Sequence, residues 1–371
     1  MDQEYTERIH KIDNELERWL PEKPDREWAQ NVFGNIANKA ESDSENLKSI
    51  NTLIAPLREL LFRGGKRWRP LLMMLICEAL GGKDASVSLT PVIEFSHNAS
   101  LIHDDIEDDS DERRGKPSIH KLFGVDTAIN SGSFFYFLAS SCIESCELDN
   151  KELIYKLWTE CMRRLHLGQS MDINWHRNFS LIPSIDDYFL MCTMKTGSLA
   201  RLSTELGVHT AGMNAADAPA EILQLLGDAA DKMGVGFQIL DDVKNLTTGV
   251  AGKKRGDDII EGKKSLPVLL YLNKYPEKQK QIFSWFKAAK SADCKSADCK
   301  TEDCKTEGSS APEIDEMIDT LSLAGVLDEA HEKGKSLLKE TKDIFSSSKI
   351  TDFIKDRNSY DLLGNFIKLI G

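Results

Sequence analysis

The chain has 371 residues, with 47 Lys and Arg against 60 Asp and Glu, so it carries a formal net charge of −13. An acid excess of that size argues against nucleic acid and anionic membrane surfaces as partners. Hydrophobic residues make up 41% of the chain, enough for a large core; the length would suit two or so domains, yet one large helical domain fits it as well.

The first residues, Met1-Asp2-Gln3-Glu4-Tyr5-Thr6-Glu7-Arg8, lack the apolar core of a signal peptide. No window approaches ~18 consecutive apolar residues, so no transmembrane segment is expected and the expected location is cytoplasmic. Up to residue 44 the chain is highly charged, with Ile12, Leu16, Trp19 and Leu20 forming one stripe. This predicts an N-terminal helical extension over 1–44, docked on a body over 45–371.

Apolar residues then recur at helical spacing: Leu53, Ile54, Leu57, Leu60 and Leu61, next Leu71 to Leu80, next Val92, Phe95 and Leu101, and next Phe134 to Ile143. Pro70, Pro91 and Pro183 sit where turns or first helical turns are expected, and Gly81-Gly82 closes the helix that carries Leu72 to Leu80. Alternating, strand-like runs are scarce, and the expected fold class is all-α. Residues 291–307 read SADCK-SADCK-TEDCK-TE and lead into Gly308-Ser309-Ser310. A five-residue period matches neither helix nor strand, so 291–310 is expected to be a low-complexity insertion, disordered or loosely helical. Metal binding by Cys294, Cys299 and Cys304 is the lesser reading. The other five cysteines, Cys77, Cys142, Cys146, Cys161 and Cys192, are read as buried reduced thiols. Cys142 and Cys146, at i,i+4, could frame half a metal site but have no second pair nearby. The six Trp are read as packing residues.

Two acidic runs interrupt this helical pattern: Asp104-Asp105-Ile106-Glu107-Asp108-Asp109 and Asp241-Asp242-Val243-Lys244-Asn245. On a helix, i and i+4 lie about 40° apart and i+1 about 100° away, so Asp104, Asp105 and Asp108 project toward one place. Three carboxylates there repel one another unless a cation joins them. Asp241, Asp242 and Asn245 repeat the pattern with an amide oxygen in the last place. Oxygen-only sets favour Mg²⁺, which keeps several waters and is readily shared with phosphates. An EF-hand is a competing but lesser reading of the first run, which lacks the alternating ligands and the central Gly. Either run alone would usually be a helix end or a solvated face; the matched pair is what points to chemistry.

Basic residues accompany both runs. Gly64-Gly65-Lys66-Arg67-Trp68-Arg69-Pro70 precedes the first, Arg113-Arg114-Gly115-Lys116 follows it, and Gly252-Lys253-Lys254-Arg255-Gly256-Asp257-Asp258, with Gly262-Lys263-Lys264, follows the second. Acid followed by base, twice over, suits two diphosphates: one held through metal ions, the other by direct Lys and Arg contacts.

Taken together these residues resemble the trans-isoprenyl diphosphate synthases of the polyprenyl synthetase family. The matching elements are GGKRWRP (64–70), HNASLIHDDIEDDSDERRGKPSIH (97–120), Gly168-Gln169 with Asp172, Lys195-Thr196-Gly197, Phe237-Gln238-Ile239-Leu240-Asp241-Asp242 and GKKRGDDIIEGKKSLP (252–267). The resemblance implies a single-domain all-helical bundle with a deep central cavity. It implies head-to-tail condensation of isopentenyl diphosphate with an allylic diphosphate, namely dimethylallyl, geranyl or farnesyl diphosphate. It implies a homodimer. By the same resemblance Asp104, Asp105, Asp108, Asp241 and Asp242 hold Mg²⁺ on the allylic diphosphate, and Arg113, Lys195, Lys253 and Lys263 neutralise its oxygens. Isopentenyl diphosphate meets Lys66, Arg69, His97 and Arg114, while Thr196 and Gln238 lie near the allylic group. His103 is read as a hydrogen-bonded core residue, and Trp68 as a shelter for its neighbouring arginines.

In that family the residues four and five before the first Asp wall the cavity. Here they are Ser100 and Ala99, both small, which argues against a strict C15 product. Ser96 and Phe95 lie one turn further back, and Phe95 or an aromatic of 134–137 is the expected floor, stopping growth near C20 to C25. Geranylgeranyl diphosphate is the expected product, with a C15 or a C25-and-longer synthase as alternatives. Asn245 departs from the family pattern, which usually has Asp there. Rival functions are a class I terpene cyclase, for which GGKRWRP and His97 would be idle, a non-catalytic subunit of a heteromeric synthase, and an unrelated Mg²⁺-dependent phosphohydrolase, for which no general base is evident.

Overall fold

The computed structural model describes residues 3–34, 45–212, 220–249, 255–298 and 312–370, and these fold almost entirely into helices. The first helices are α1 (Gln3–Trp19), α2 (Arg26–Phe33), α3 (Glu45–Leu61), α4 (Trp68–Ala79) and α5 (Thr90–Glu107). A hairpin of β1 (Glu112–Arg113) and β2 (Lys116–Pro117) comes next, followed by α6 (Ile119–Phe123), α7 (Val125–Ser145) and α8 (Lys151–Arg177). α9 (Ile185–Cys192) runs through a π-helical turn at Thr193–Gly197 into α10 (Ser198–Thr210), and α11 (Ala220–Thr247), α12 (Asp257–Glu261) and α13 (Leu266–Lys274) continue the chain. It ends with α14 (Gln279–Asp298), α15 (Pro312–Leu323), α16 (Val326–Phe345), α17 (Ser348–Thr351) and α18 (Arg357–Ile370). Among the described residues the hairpin is the only sheet, so the all-α expectation holds.

These residues group into two compact units. The first takes Met1–Met162, Leu199–Asp228 and Ile344–Phe366. Every residue of α4 is buried, which is why its sequence is apolar nearly all round rather than along one stripe. The helix stops at Gly81-Gly82, where Gly82 N–H returns to the Cys77 carbonyl at 2.8 Å. On α1 the stripe Ile12, Leu16 and Trp19, with Leu20 just beyond, is buried as its spacing predicts. Polar bonds add to that docking: the Tyr5 hydroxyl donates to the Leu362 carbonyl at 2.6 Å, and Glu78 on α4 accepts from Arg8 at 2.6 Å and from Ser359 at 2.9 Å. Within 1–44, therefore, α1 and α2 are built into the first unit; residues 35–44 lie outside the described residues.

The second unit takes Arg163–Ser198, Ala229–Asp343 and Ile367–Gly371. One apolar cluster gathers Trp285, Phe286, Ile314, Met317 and Leu321, and another Trp175, Tyr188, Val235, Ile239 and Leu266. α14 runs on as far as Asp298, so the repeat begins in helical conformation, and 299–311 lie outside the described residues. All six Trp are buried, and the five scattered cysteines are buried free thiols. No described helix is long and apolar enough to cross a membrane.

Candidate active site

In the first unit, Gly64 to Arg67 link α3 to α4. Arg67 occupies the N-cap of α4 in the left-handed region (φ 46°), and its buried guanidinium bonds Asp13 (3.0 Å), Glu94 (2.8 Å) and the Leu61 carbonyl (2.9 Å). Of the three cations in this stretch it is thus tied into the scaffold. Arg69 is held differently: its guanidinium lies over the Trp68 ring, 4.3 Å from the centroid, and one Nη1 contacts His97 Nε2 at 3.2 Å. Trp68 shelters Arg69, as expected. A guanidinium only donates, so His97 Nε2 accepts and the ring proton sits on Nδ1. Burial, with Arg69, Arg114, Arg113 and Arg67 nearby, drives His97 well below the ordinary histidine range, and it is neutral at pH 7. Lys66 is exposed on the loop.

Arg114 reaches the same cluster from the hairpin. Arg114 and Gly115 form a two-residue turn with φ 55° and 73°, the type I′ geometry that matches strand twist. A left-handed Arg costs about 1 kcal/mol or more. Bracing bonds offset this: Arg63 donates to the Arg113 carbonyl at 2.9 Å and Arg114 to the Leu60 carbonyl at 3.0 Å. Burial lowers Arg69 and Arg114 to about 10, with Glu94 opposing the fall, so both stay protonated at neutral pH.

Asp104 and Asp105 occupy the last turn of α5, and Asp108 is its C-cap. The negative end of the helix dipole lies there and adds to their mutual repulsion. Arg113 provides part of the compensation, donating Nε to Asp105 at 2.8 Å and Nη2 to Asp104 at 3.2 Å. Asp109 turns outward to pair with Lys121 at 2.9 Å. Among the described residues, no three acidic, His or Cys side chains are gathered at metal-holding spacing. Arg113 thus spans Asp104 and Asp105, two of the three carboxylates expected to hold the metal. The donor chemistry, carboxylate oxygens massed at a negative helix end, still fits a hard divalent cation.

Farther back along α5, Ser100 bonds the His97 carbonyl at 2.7 Å, and Ala99 is buried. His103 contacts the Ala99 carbonyl through Nδ1 at 2.9 Å, the hydrogen-bonded role expected of it. Phe95 is fully buried against Phe135, with ring centroids 4.6 Å apart. Nine residues before Asp104, it stands about half a turn round the helix from it, so it faces core packing. Ser96 is different: it accepts from the buried Trp158 indole at 3.0 Å.

In the second unit, α8 and the π-helical turn cross closely. A Cβ on Gly168 would come within 2.4 Å of the Lys195 backbone nitrogen, and one on Gly234 within 2.6 Å of Gly197 Cα, so these helices approach only where side chains are missing. The π turn presents Lys195 to Asp172 at 2.6 Å. Burial works to raise the Asp172 carboxyl, but Lys195 and Lys263 outweigh it and hold it below the usual carboxylate range. Lys263 also pairs with Glu261 at 2.5 Å. Thr196 donates to Gln238 Oε1 at 2.9 Å, and Gln238 donates to Asp242 Oδ1 at 2.9 Å. The buried Tyr188 hydroxyl donates to Asp242 Oδ2 at 2.7 Å. Both Asp242 oxygens thus accept hydrogen bonds from neighbouring side chains. Burial raises its carboxyl to about 6 against the pull of these two donors. Asn245 is likewise a scaffold residue, its amide oxygen accepting from Asp258 N–H at 3.3 Å. Lys253 lies outside the described residues.

Three side chains here escaped sequence reasoning, Asp13, Glu94 and Tyr188, and two that it noted only in passing, Trp158 and Lys264, have specific partners. Glu94 alone gave a signal, a single carboxylate within the apolar run Val92-Ile93-Glu94-Phe95. Lys264 is buried between Phe179 and Phe286, with its ammonium bonded to the Trp175 carbonyl at 3.1 Å and the Gly262 carbonyl at 2.9 Å.

Comparison with known proteins agrees with this geometry. The profile of the family described as Polyprenyl synthetase matches residues 50–301. A geranylgeranyl pyrophosphate synthase of Apiospora sacchari is 34% identical over 246 residues, covering 65% of this chain and 70% of that protein. A short chain isoprenyl diphosphate synthase of Methanocaldococcus jannaschii is 35% identical over 231 residues, covering 60% of this chain and 67% of its own length. Among solved structures, a geranylgeranyl pyrophosphate synthetase from Pyrococcus horikoshii superposes with a TM-score of 0.76 at 25% identity, covering 99% of this chain and 97% of that one.

Proposed function

We propose that this chain, which belongs to the polyprenyl synthetase family, is a magnesium-dependent trans-prenyltransferase that joins isopentenyl diphosphate head-to-tail to an allylic diphosphate, giving geranylgeranyl diphosphate. The observation that carries this reading is the cluster of Arg69, Arg114 and neutral His97 in the first unit. A cyclase has only one diphosphate to hold and would leave that cluster idle. Burial destabilises the two arginine charges, so an arriving diphosphate relieves an electrostatic deficit that the fold has built in.

The reaction breaks the C–O bond to the allylic diphosphate, forms a C–C bond to isopentenyl diphosphate and releases one proton. In the first unit Lys66, Arg69, Arg114 and His97 take the isopentenyl diphosphate, with Trp68 fixing the plane of the Arg69 guanidinium. Asp104, Asp105 and Asp108 would hold magnesium ions there, as Asp241 would in the second unit. When bound, the metal neutralises charge developing on the departing diphosphate. Arg113 in the first unit, and Lys195, Lys253 and Lys263 in the second, are the fixed cations of this reading, and Asp172 orients Lys195. Asp242 keeps Gln238 and Tyr188 in place. No side-chain base is assigned; the released diphosphate takes the proton.

Small Ala99 and Ser100 support a product beyond fifteen carbons. Support for a limit near twenty comes from Trp158, fixed at Ser96, eight residues and so about 12 Å of helix rise before Asp104. Exposed Leu122, Val125, Ile129 and Phe137 on α6 and α7 support a homodimer.

The test is a product assay with magnesium, labelled isopentenyl diphosphate and dimethylallyl, geranyl or farnesyl diphosphate in turn. A linear C20 alcohol after dephosphorylation is expected. Cyclic hydrocarbon from the allylic substrate alone, or no turnover with any primer, would overturn the reading.

A further inference from the structure

The N-terminal helix α1 makes a polar contact with the loop that carries Lys66 and leads into Arg69 on α4. Asp13, near the middle of α1, accepts from Arg67 Nε at 3.0 Å. The same guanidinium donates Nη1 to Glu94 on α5 at 2.8 Å and Nη2 to the Leu61 carbonyl at the end of α3 at 2.9 Å. One residue therefore joins three helices at the N-cap of the fourth, with its own backbone in the left-handed region. A single left-handed residue at this corner sets the direction in which α4 starts, and so where Arg69, two residues on, presents its guanidinium. Glu94 is shared. It also accepts from Asn98 Nδ2 at 3.3 Å, and it is the leading favourable charge for both Arg69 and Arg114. Without it, Arg67, Arg69, Arg113 and Arg114 would face one another with less compensation.

We propose that Asp13, Arg67 and Glu94 are positioning residues for the isopentenyl diphosphate site, making α1 a working part of that site. This rests on the function proposed above. Arg67 touches no substrate; it fixes the loop and the start of α4 so that the cations which do touch it are already in place, which lowers the ordering cost of binding. Lys cannot reproduce three bonds from one planar fork, so Arg67→Lys recovers part of the effect and Arg67→Met none.

The test uses the full chain and reads KM for isopentenyl diphosphate, KM for the allylic substrate, kcat, Tm, and calorimetric binding of isopentenyl diphosphate. Asp13 is 44% exposed, so Asp13→Asn is expected to fold normally. It is expected to raise KM for isopentenyl diphosphate about threefold, and Arg67→Met about tenfold or more, the latter equivalent to ~1.4 kcal/mol. Arg67→Lys should fall between wild type and Arg67→Met. The allylic KM and kcat should stay within about twofold of wild type, a change of ~0.4 kcal/mol. An unchanged isopentenyl diphosphate KM in Asp13→Asn and Arg67→Lys overturns the proposal. So does an equal rise in both KM values with a lowered Tm, the mark of a merely structural role. Failure of the wild-type chain to use isopentenyl diphosphate at all would instead sink the underlying function.

Discussion

The Tyr188 hydroxyl donates to Asp242 at 2.7 Å, and this bond separates two adjacent carboxylates into different roles. Asp242 is buried with both oxygens engaged, while its neighbour Asp241 is half-buried. Substituting each should therefore give opposite patterns. Asp241→Ala is expected to lower kcat at least about 100-fold while leaving Tm within a degree or two, as expected for loss of transition-state charge stabilisation. Asp242→Ala strands the Tyr188 hydroxyl and the Gln238 amide in the interior and should cost about 2 kcal/mol or more of stability. Circular dichroism melts beside steady-state rates separate the two; a stable Asp242→Ala would contradict the scaffold role.

At the end of α5, repulsion among carboxylates is a stability cost that the proposed metal-holding role would account for. Removing one charge from the last turn relieves an unfavourable dipole interaction worth about 0.3–1 kcal/mol. Asp104→Asn should thus nearly abolish turnover with Tm unchanged or raised. Unfolding of this variant at room temperature would show that the Arg113 contact, not function, keeps the carboxylate there.

Product length distinguishes Trp158 from Phe95. Trp158→Ala should shift the products beyond C20, with the dephosphorylated alcohols sized by chromatography. Phe95→Ala should leave the length distribution alone and reduce stability by about 3–5 kcal/mol, the cost of a cavity beside Phe135. Longer products from Phe95→Ala alone would return the floor to Phe95.

Lys264 gives a pH signature. Burial lowers it to about 8, with Asp172 opposing, whereas in the unfolded chain it titrates near ~10.4. Between those values the unfolded state holds a proton that the folded state has lost, so unfolding free energy rises with pH across this window. Below about pH 8 both states are protonated and the burial penalty is fully present. The stability of wild type relative to Lys264→Met should therefore be constant from pH 6 to 7 and increase from pH 8 to 10 in denaturant titrations. A difference that stays flat across pH 8 to 10 would show that the ammonium is solvated in the folded protein.

The helical class, the breaks at Pro70, Pro91 and Gly81-Gly82, and the buried face of α1 were legible in the sequence because they depend on spacing along one chain. So was the presence of two acid-and-base sets, since a run such as Asp104-Asp105 in an apolar helix conflicts with burial wherever the chain leads. The hairpin at 112–117 was not legible. It is two residues per strand, too short for any alternation to show, and its turn needs a left-handed Arg114 that no local preference predicts. The division of labour inside each motif also needed the tertiary structure. Whether Arg67 or Arg69 stays available, whether Asp241 or Asp242 is committed, and whether Phe95 or Ser96 meets Trp158 depend on partners 42 to 62 residues away for Gln238–Thr196 and Trp158–Ser96, and 54 residues away for Asp242–Tyr188 and for Arg67–Asp13. The physical reason is that neighbouring residues on a helix differ by about 100° in direction, so chemically identical side chains enter different surroundings, and those surroundings decide which charge is spent on the fold and which is left for a ligand.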